Sequence, residues 1–156
     1  METLTLENPL KAHLLDIVMS EVEALDFQRI KFKLSATQDK GKIDIAEHEY
    51  KRFLVLIKMH PSKSIVPSKI MDEFWHLHIL DTEAYRRDCK RVFGRFIDHF
   101  PYFGIYGTED RQSLIDSFEE TKELYLQHFG THLVDSNAAR CQGKPCHVTT
   151  SCRCRG

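Results

Sequence analysis

Residues 72–99 hold most of the side chains in this chain whose types and spacing could do chemistry. Among the acidic, imidazole and phenol groups of this segment, the candidates are Asp72, His76, His78, Asp81, Tyr85, Asp88 and His99. Imidazole and carboxylate groups are ligands that iron, zinc and manganese accept in proteins. They are also common general acids and bases. The segment therefore predicts either a metal or acid–base site, or a buried polar network.

Helical periodicity divides these side chains between two faces. With a step of about 100° per residue, one stripe carries the apolar residues that must face the core, among them Phe74 and Leu77. The polar residues on the same inward stripe are His78, Asp81, Tyr85 and Asp88. Asp72 and His76 fall on the opposite side, which predicts that they point outward.

The sharper interpretation of the inward stripe is a metal site. His78 and Asp81 are three residues apart, and His99 stands where the chain turns back before Pro101. His78, Asp81 and His99 would then form a group of two histidines and one carboxylate for iron, zinc or manganese. In this hypothesis Tyr85 and Asp88 contact the ligands without binding the metal themselves.

A structural interpretation competes with it. Buried polar groups in native proteins are usually hydrogen-bonded to one another, so the stripe could serve packing alone. A break in the helix would make Asp81 or Thr82 the N-cap of a second helix. Asp72 and His76, four residues apart, would form a solvated ion pair on a surface helix. They become an alternative site if another element covers their face.

The segments that carry and surround these residues are all predicted to be helices. The predicted helices begin after Asn8, at Asp26, at Asp44, at Ser68 and at Thr108 or Asp110, and the fourth extends to His99 in one piece or two. Residues 30–34 also alternate as a strand would, which leaves that stretch open. Gly130 is a natural stop for the last helix. We expect an all-α, compact single-domain bundle of about five helices.

Several motifs resemble one known family. They are Ile65-Val66-Pro67-Ser68, the block from Asp72 to Thr82 with Trp75-His76-Leu77-His78, then Tyr85, Asp88-Cys89, Phe93-Gly94 and His99-Phe100-Pro101-Tyr102-Phe103-Gly104. Together they resemble the glycine-rich-domain-containing-protein-like family in its short bacterial form, over about residues 50–130. The Trp-His-x-His block is the most specific part.

The resemblance implies importance without assigning a reaction. It supports His76, His78, Asp81, Tyr85, Asp88 and His99 as functional or structural residues. Plant relatives are longer and carry glycine-rich regions that are absent here. The family pattern leads us to expect a second histidine beside His99, but this chain has Asp98 at that position. A metal site that used that histidine would have one ligand fewer here, or a carboxylate in its place.

The C-terminus differs in composition from the rest. We divide the chain into a helical domain, residues 1–136, and a disordered or loosely structured tail, residues 137–156. The tail contains four basic residues, no acidic residue, and the thiols Cys141, Cys146, Cys152 and Cys154. Reduced thiols would bind a soft metal, although the spacing is not that of a zinc knuckle. The tail could equally form nothing fixed, or be presented by the folded domain for modification.

Composition excludes several function classes. Hydrophobic residues make up 42% and charged residues 29% of the chain, which is ordinary for a globular protein. The longest apolar run, residues 53–57, is far shorter than a membrane span, and the first residues do not resemble a signal peptide. We therefore expect a cytoplasmic protein. The chain has no basic stripe, so we do not expect nucleic acid as its partner. We expect a protein or a small molecule instead. The sequence leaves open whether the protein is an enzyme.

Overall fold

The computed structural model describes residues 9–138, and all the regular structure in that part of the chain is helical. The elements are α1 (Pro9–Glu23), α2 (Gln28–Leu34), α3 (Lys40–Met59), α4 (Lys69–Leu80), α5 (Thr82–Phe93) and α6 (Thr108–Phe129). The all-α prediction is confirmed, with six helices where about five were expected. No helix between residues 9 and 138 is long and apolar enough to cross a membrane. Of the predicted loose tail, residues 139–156 with the four thiols lie outside the described residues.

Side-chain and glycine caps explain where several helices begin and end. Asp39 accepts a hydrogen bond from the Lys42 amide and so starts α3 earlier than Asp44, the predicted first residue. Residues 30–34 belong to α2, so the strand interpretation is wrong. Gly130, with a φ of 68°, closes α6 in the left-handed conformation, as predicted.

The core forms around α3, which packs against both α1 and α4. Tyr50, Phe53 and Leu56 of α3 are completely buried. Phe27, in the connection between α1 and α2, packs its ring against those of Tyr50 and Phe74 with centroids 5.6 and 5.4 Å away. This aromatic centre holds α4 against α3, so the position of α4 is fixed by burial of apolar surface.

The segment after α6 returns to the start of α4. The Asp135 carboxylate accepts from the Ile70 amide at 3.3 Å, and the Lys69 amide donates to the Asn137 carbonyl at 3.1 Å. Ala138 forms an isolated antiparallel bridge with Ser68, which is itself the N-cap of α4. These bonds satisfy amides that the first turn of a helix leaves unpaired, and they fasten the N-terminal end of α4. The boundary at residues 136 and 137 stays a prediction.

Candidate metal centre

Asp81 lies at the break between α4 and α5 and acts as a cap. Its carboxylate accepts from the Ala84 amide at 3.4 Å, which begins α5, and pairs with the Arg29 guanidinium at 3.2 Å. The helix break and the capping interpretation of Asp81 are therefore confirmed. A short polar side chain at this point offers the first turn of α5 an acceptor.

His78 is buried in the core, where both its ring nitrogens have partners. Nδ1 lies 2.8 Å from the Tyr50 hydroxyl, and Nε2 lies 3.0 Å from Asp88 Oδ2. Burial lowers the pKa of His78 and raises the pKa of Tyr50 well above its usual value. With the imidazole neutral, Tyr50 donates to Nδ1 and Nε2–H donates to the Asp88 carboxylate. His78 cannot ligate a metal without breaking one of these bonds.

Tyr85 joins the same interior but has different partners. Its hydroxyl donates to the Ile97 carbonyl at 2.6 Å and accepts from Trp75 Nε1 at 3.0 Å. Burial raises the pKa of Tyr85, so the hydroxyl keeps its proton. The prediction that Tyr85 and Asp88 point inward is confirmed. Asp81, predicted on the same inward stripe, instead has a 30% exposed side chain that faces Arg29. Tyr85 fastens the chain two residues before His99.

The other face of α4 carries a second polar cluster, formed by Asp72, His76 and His99. The Nε2 atom of His99 lies 2.8 Å from Asp72 Oδ1 and 2.9 Å from His76 Nε2. His76 Nε2 lies 3.4 Å from Asp72 Oδ2. In the part of the chain that the structure describes, this is the one group in which at least three histidine, cysteine or acidic ligand atoms all lie within 4.8 Å of one another.

The outward assignment of Asp72 is wrong, because residues 94–107, here called the His99 loop, cover this face of α4. Asp72 is 0% exposed, and the side chains of His76 and His99 are only 19% and 8% exposed. The structure does not bring His78, Asp81 and His99 together. It brings His99 to Asp72 and His76, the pair named above as the alternative site.

Local structure explains why the His99 loop returns to α4. Gly94 ends α5 with a φ of 70°, a left-handed conformation that reverses the chain. The Trp75 ring packs on the His99 ring with centroids 4.4 Å apart. Farther along, the Asp110 carboxylate accepts from the Gly104 and Tyr106 amides at 2.8 and 3.0 Å, which fastens the loop to the first turn of α6.

The cluster is suited to hold a cation. Metal ligands about 2.1 Å from a common ion and at right angles to one another are about 3 Å apart, close to the separations of the two Nε2 atoms and the carboxylate oxygens. Each imidazole Nε2 offers either a proton or a lone pair, and a carboxylate offers only lone pairs. A divalent ion would interact favourably with all three groups at once. The same groups could also transfer a proton.

Sequence reasoning missed two features because they depend on contacts between residues distant in the chain. Tyr50 is 28 residues from His78, and no local pattern marks it as the partner of that ring. His60 and His128 bring their Nε2 atoms to 2.7 Å across the ends of α3 and α6, 68 residues apart. Burial lowers the pKa of both histidines.

The protein is thus an all-α domain in which the His99 loop brings one histidine to the histidine and the carboxylate of α4. The model of the UCP032817-like family matches residues 19–119, and the chain belongs to that family. All three cluster residues lie within the matched range.

A plant protein supports the resemblance noted above. The chain is 30% identical over 106 residues, 65% of its length, to glycine-rich domain-containing protein 1 of Arabidopsis thaliana. It spans only 13% of the length of that relative. No solved structure matches the chain.

Proposed function

We propose that this domain binds one divalent transition-metal ion through Asp72, His76 and His99. The observation that carries the proposal is the convergence of two Nε2 atoms and a fully buried carboxylate, at separations between 2.8 and 3.4 Å. Two histidines and one carboxylate form a ligand set that iron, zinc and manganese accept. Which of these ions is bound depends on availability as well as on the ligands.

The surroundings of the cluster support this function. Trp75 packs on the His99 ring, and the Trp75 indole donates to the Tyr85 hydroxyl, which in turn donates to the Ile97 carbonyl. The His99 imidazole is therefore held by packing on Trp75, and the chain beside it is held by the Tyr85 hydrogen bond to Ile97, an arrangement that orients a metal ligand before the ion binds. Three protein ligands would leave at least one coordination position for water or a substrate.

The competing function, in which polar residues serve only helix packing, accounts for a different set of residues. Tyr50, His78 and Asp88 form a satisfied hydrogen-bonded chain between α3, α4 and α5. We assign the packing interpretation to this face of α4. The metal function rests only on the face that carries Asp72, His76 and His99.

Elemental analysis tests the proposal directly. The full chain would be produced without a histidine tag or chelator, with the four tail cysteines replaced by serine so that tail thiols cannot contribute. We expect about one metal ion per chain, lost in Asp72→Asn and in His99→Asn. His132→Asn, which changes an exposed histidine outside the cluster, is the matched control and should keep the metal. Absence of metal from the parent after incubation with zinc, iron(II) or manganese, or its retention in both cluster variants, would overturn the proposal.

A further inference from the structure

A second polar site lies between the connection from α1 to α2 and the exposed face of α5. It is a cavity of about 310 Å³, and none of the three cluster residues lines it. The lining residues are Ala24, Asp26, Arg29, Arg87, Asp88 and Arg91. Three guanidinium groups and two carboxylates therefore surround a volume at the lower end of the range of small-molecule sites.

Both carboxylates of this cavity already have partners within the protein. Asp26 Oδ1 accepts from the Gln28 amide at 2.9 Å, at the start of α2. Asp88 Oδ2 accepts from His78, and its Oδ1 accepts from Arg87 Nε at 3.2 Å. Both carboxylates are therefore engaged within the cavity walls, and Asp88 also contacts Arg87.

The guanidinium groups, by contrast, offer more donors than the cavity walls can accept. Each guanidinium carries five N–H bonds. Arg87 and Arg91 are one turn apart on α5, and Arg29 is on α2. Arg87 uses its Nε toward Asp88, and Arg29 uses one terminal nitrogen toward Asp81. The planar fork of a guanidinium matches the oxygens of a phosphate or carboxylate group.

We propose that this cavity binds a small molecule through an oxyanion, a phosphate or a carboxylate group, held by Arg87, Arg91 and Arg29. Asp88 Oδ1 contacts Arg87 Nε, and Asp88 itself is 5% exposed and is hydrogen-bonded through His78 to Tyr50. This contact orients the Nε side of the Arg87 guanidinium and leaves its 58% exposed side chain accessible to a ligand. A side chain that is already oriented in part loses less entropy on binding. The proposal is independent of metal binding, since it uses none of the three cluster residues.

The test uses the full chain and three probes, inorganic phosphate, pyrophosphate and acetate, at constant ionic strength. Amide chemical shifts of the isotope-labelled protein would follow each titration. We expect saturable shifts centred on residues 24–29 and 87–91. Stronger binding of the phosphate probes assigns a phosphorylated ligand, and stronger binding of acetate assigns a carboxylate.

Arginine variants distinguish a specific binding site from general attraction between charges. Arg91→Gln should weaken binding of the preferred probe about tenfold, and its side chain takes no part in the hydrogen bonds described for Asp88. Arg87→Lys keeps the charge but loses the planar fork, and should weaken binding nearly as much. Arg111→Gln, an equal change of charge on the exposed surface of α6, is the control and should leave binding unchanged. Unsaturable shifts with every probe, or equal weakening by Arg91→Gln and Arg111→Gln, would overturn the proposal.

Discussion

The two faces of α4 carry histidines only two residues apart, and they place them in opposite chemical situations. On the core face, the ring nitrogens of His78 lie against a hydroxyl and a carboxylate, so donors and acceptors alternate. On the other face, the Nε2 atoms of His76 and His99 face each other and Asp72. The first arrangement is complete by itself and stabilises packing. The second brings two imidazole nitrogens and a carboxylate to one point and suits a cation.

The largest expected effect comes from breaking the core face. His78→Ala should reduce the free energy of unfolding by about 3–5 kcal/mol, because it leaves a cavity and removes the partner of buried Tyr50 and Asp88. His76→Ala, measured with a chelator present, should cost less than about 1 kcal/mol because His76 is partly exposed. Urea unfolding of both variants checks this difference. Equal losses would contradict the assignment of different roles to the two faces.

Strain introduced into the His99 loop should have the next largest effect. At Gly104 the φ is 86°, and an added Cβ would lie 2.5 Å from Leu114 Cδ2. Gly104→Ala should therefore cost about 2–4 kcal/mol. Gly94 has a φ of 70° but open space around it, so Gly94→Ala should cost only about 1–2 kcal/mol. Thermal unfolding of the pair separates steric clash from backbone strain, and a larger loss for Gly94→Ala would refute the packing assigned to Gly104.

Tyr85→Phe should affect both faces of α4, because Tyr85 contacts the His78 ring and also holds the Ile97 carbonyl near His99. Loss of the hydroxyl leaves the Ile97 carbonyl and the Trp75 indole without their hydrogen bonds to it, at a cost of about 1–3 kcal/mol. Because Ile97 is two residues from His99, the variant should also bind zinc more weakly. Val92→Ala, a truncation of another buried side chain of α5, is a control for core disturbance. Parent-like stability and zinc affinity in Tyr85→Phe would show that this hydroxyl does not hold the loop.

The smallest expected effect on the free energy of unfolding comes from the pair of His60 and His128. Burial lowers the pKa of both histidines below 6.5, so near that pH the unfolded chain binds more protons than the folded one. The free energy of unfolding should therefore decrease as the pH falls from 6.5 toward the folded-state pKa values. His60→Gln combined with His128→Gln should flatten this part of the profile. An unchanged slope in the double variant would assign the pH dependence to other groups.

The sequence predicts the fold well where the signal is local. Proline at the start of α1, the break at Asp81 and Gly130 at the end of α6 are found as expected. The start of α3 is missed by several residues because Gly41 and its polar neighbours are also typical of a turn. Once Asp39 caps the helix, those residues join it.

The candidate site is predicted only in part because periodicity describes one helix at a time. It correctly turns His78 and Tyr85 inward. It fails for Asp72, whose burial is caused by the His99 loop. A loop has no period, and its return to α4 depends on the Trp75 and Tyr85 contacts. The density of ligand-type residues was the useful signal, and their grouping required the structure.

Anomalous X-ray diffraction from crystals soaked in zinc tests the central claim most directly, because it locates the ion. We predict a peak about 2.0–2.2 Å from His76 Nε2, His99 Nε2 and an Asp72 carboxylate oxygen, with the bonds of His78 to Tyr50 and Asp88 intact. The peak should disappear from this position in His99→Asn crystals. A peak bound by His78, or zinc found only at other positions in the parent crystals, would contradict the account.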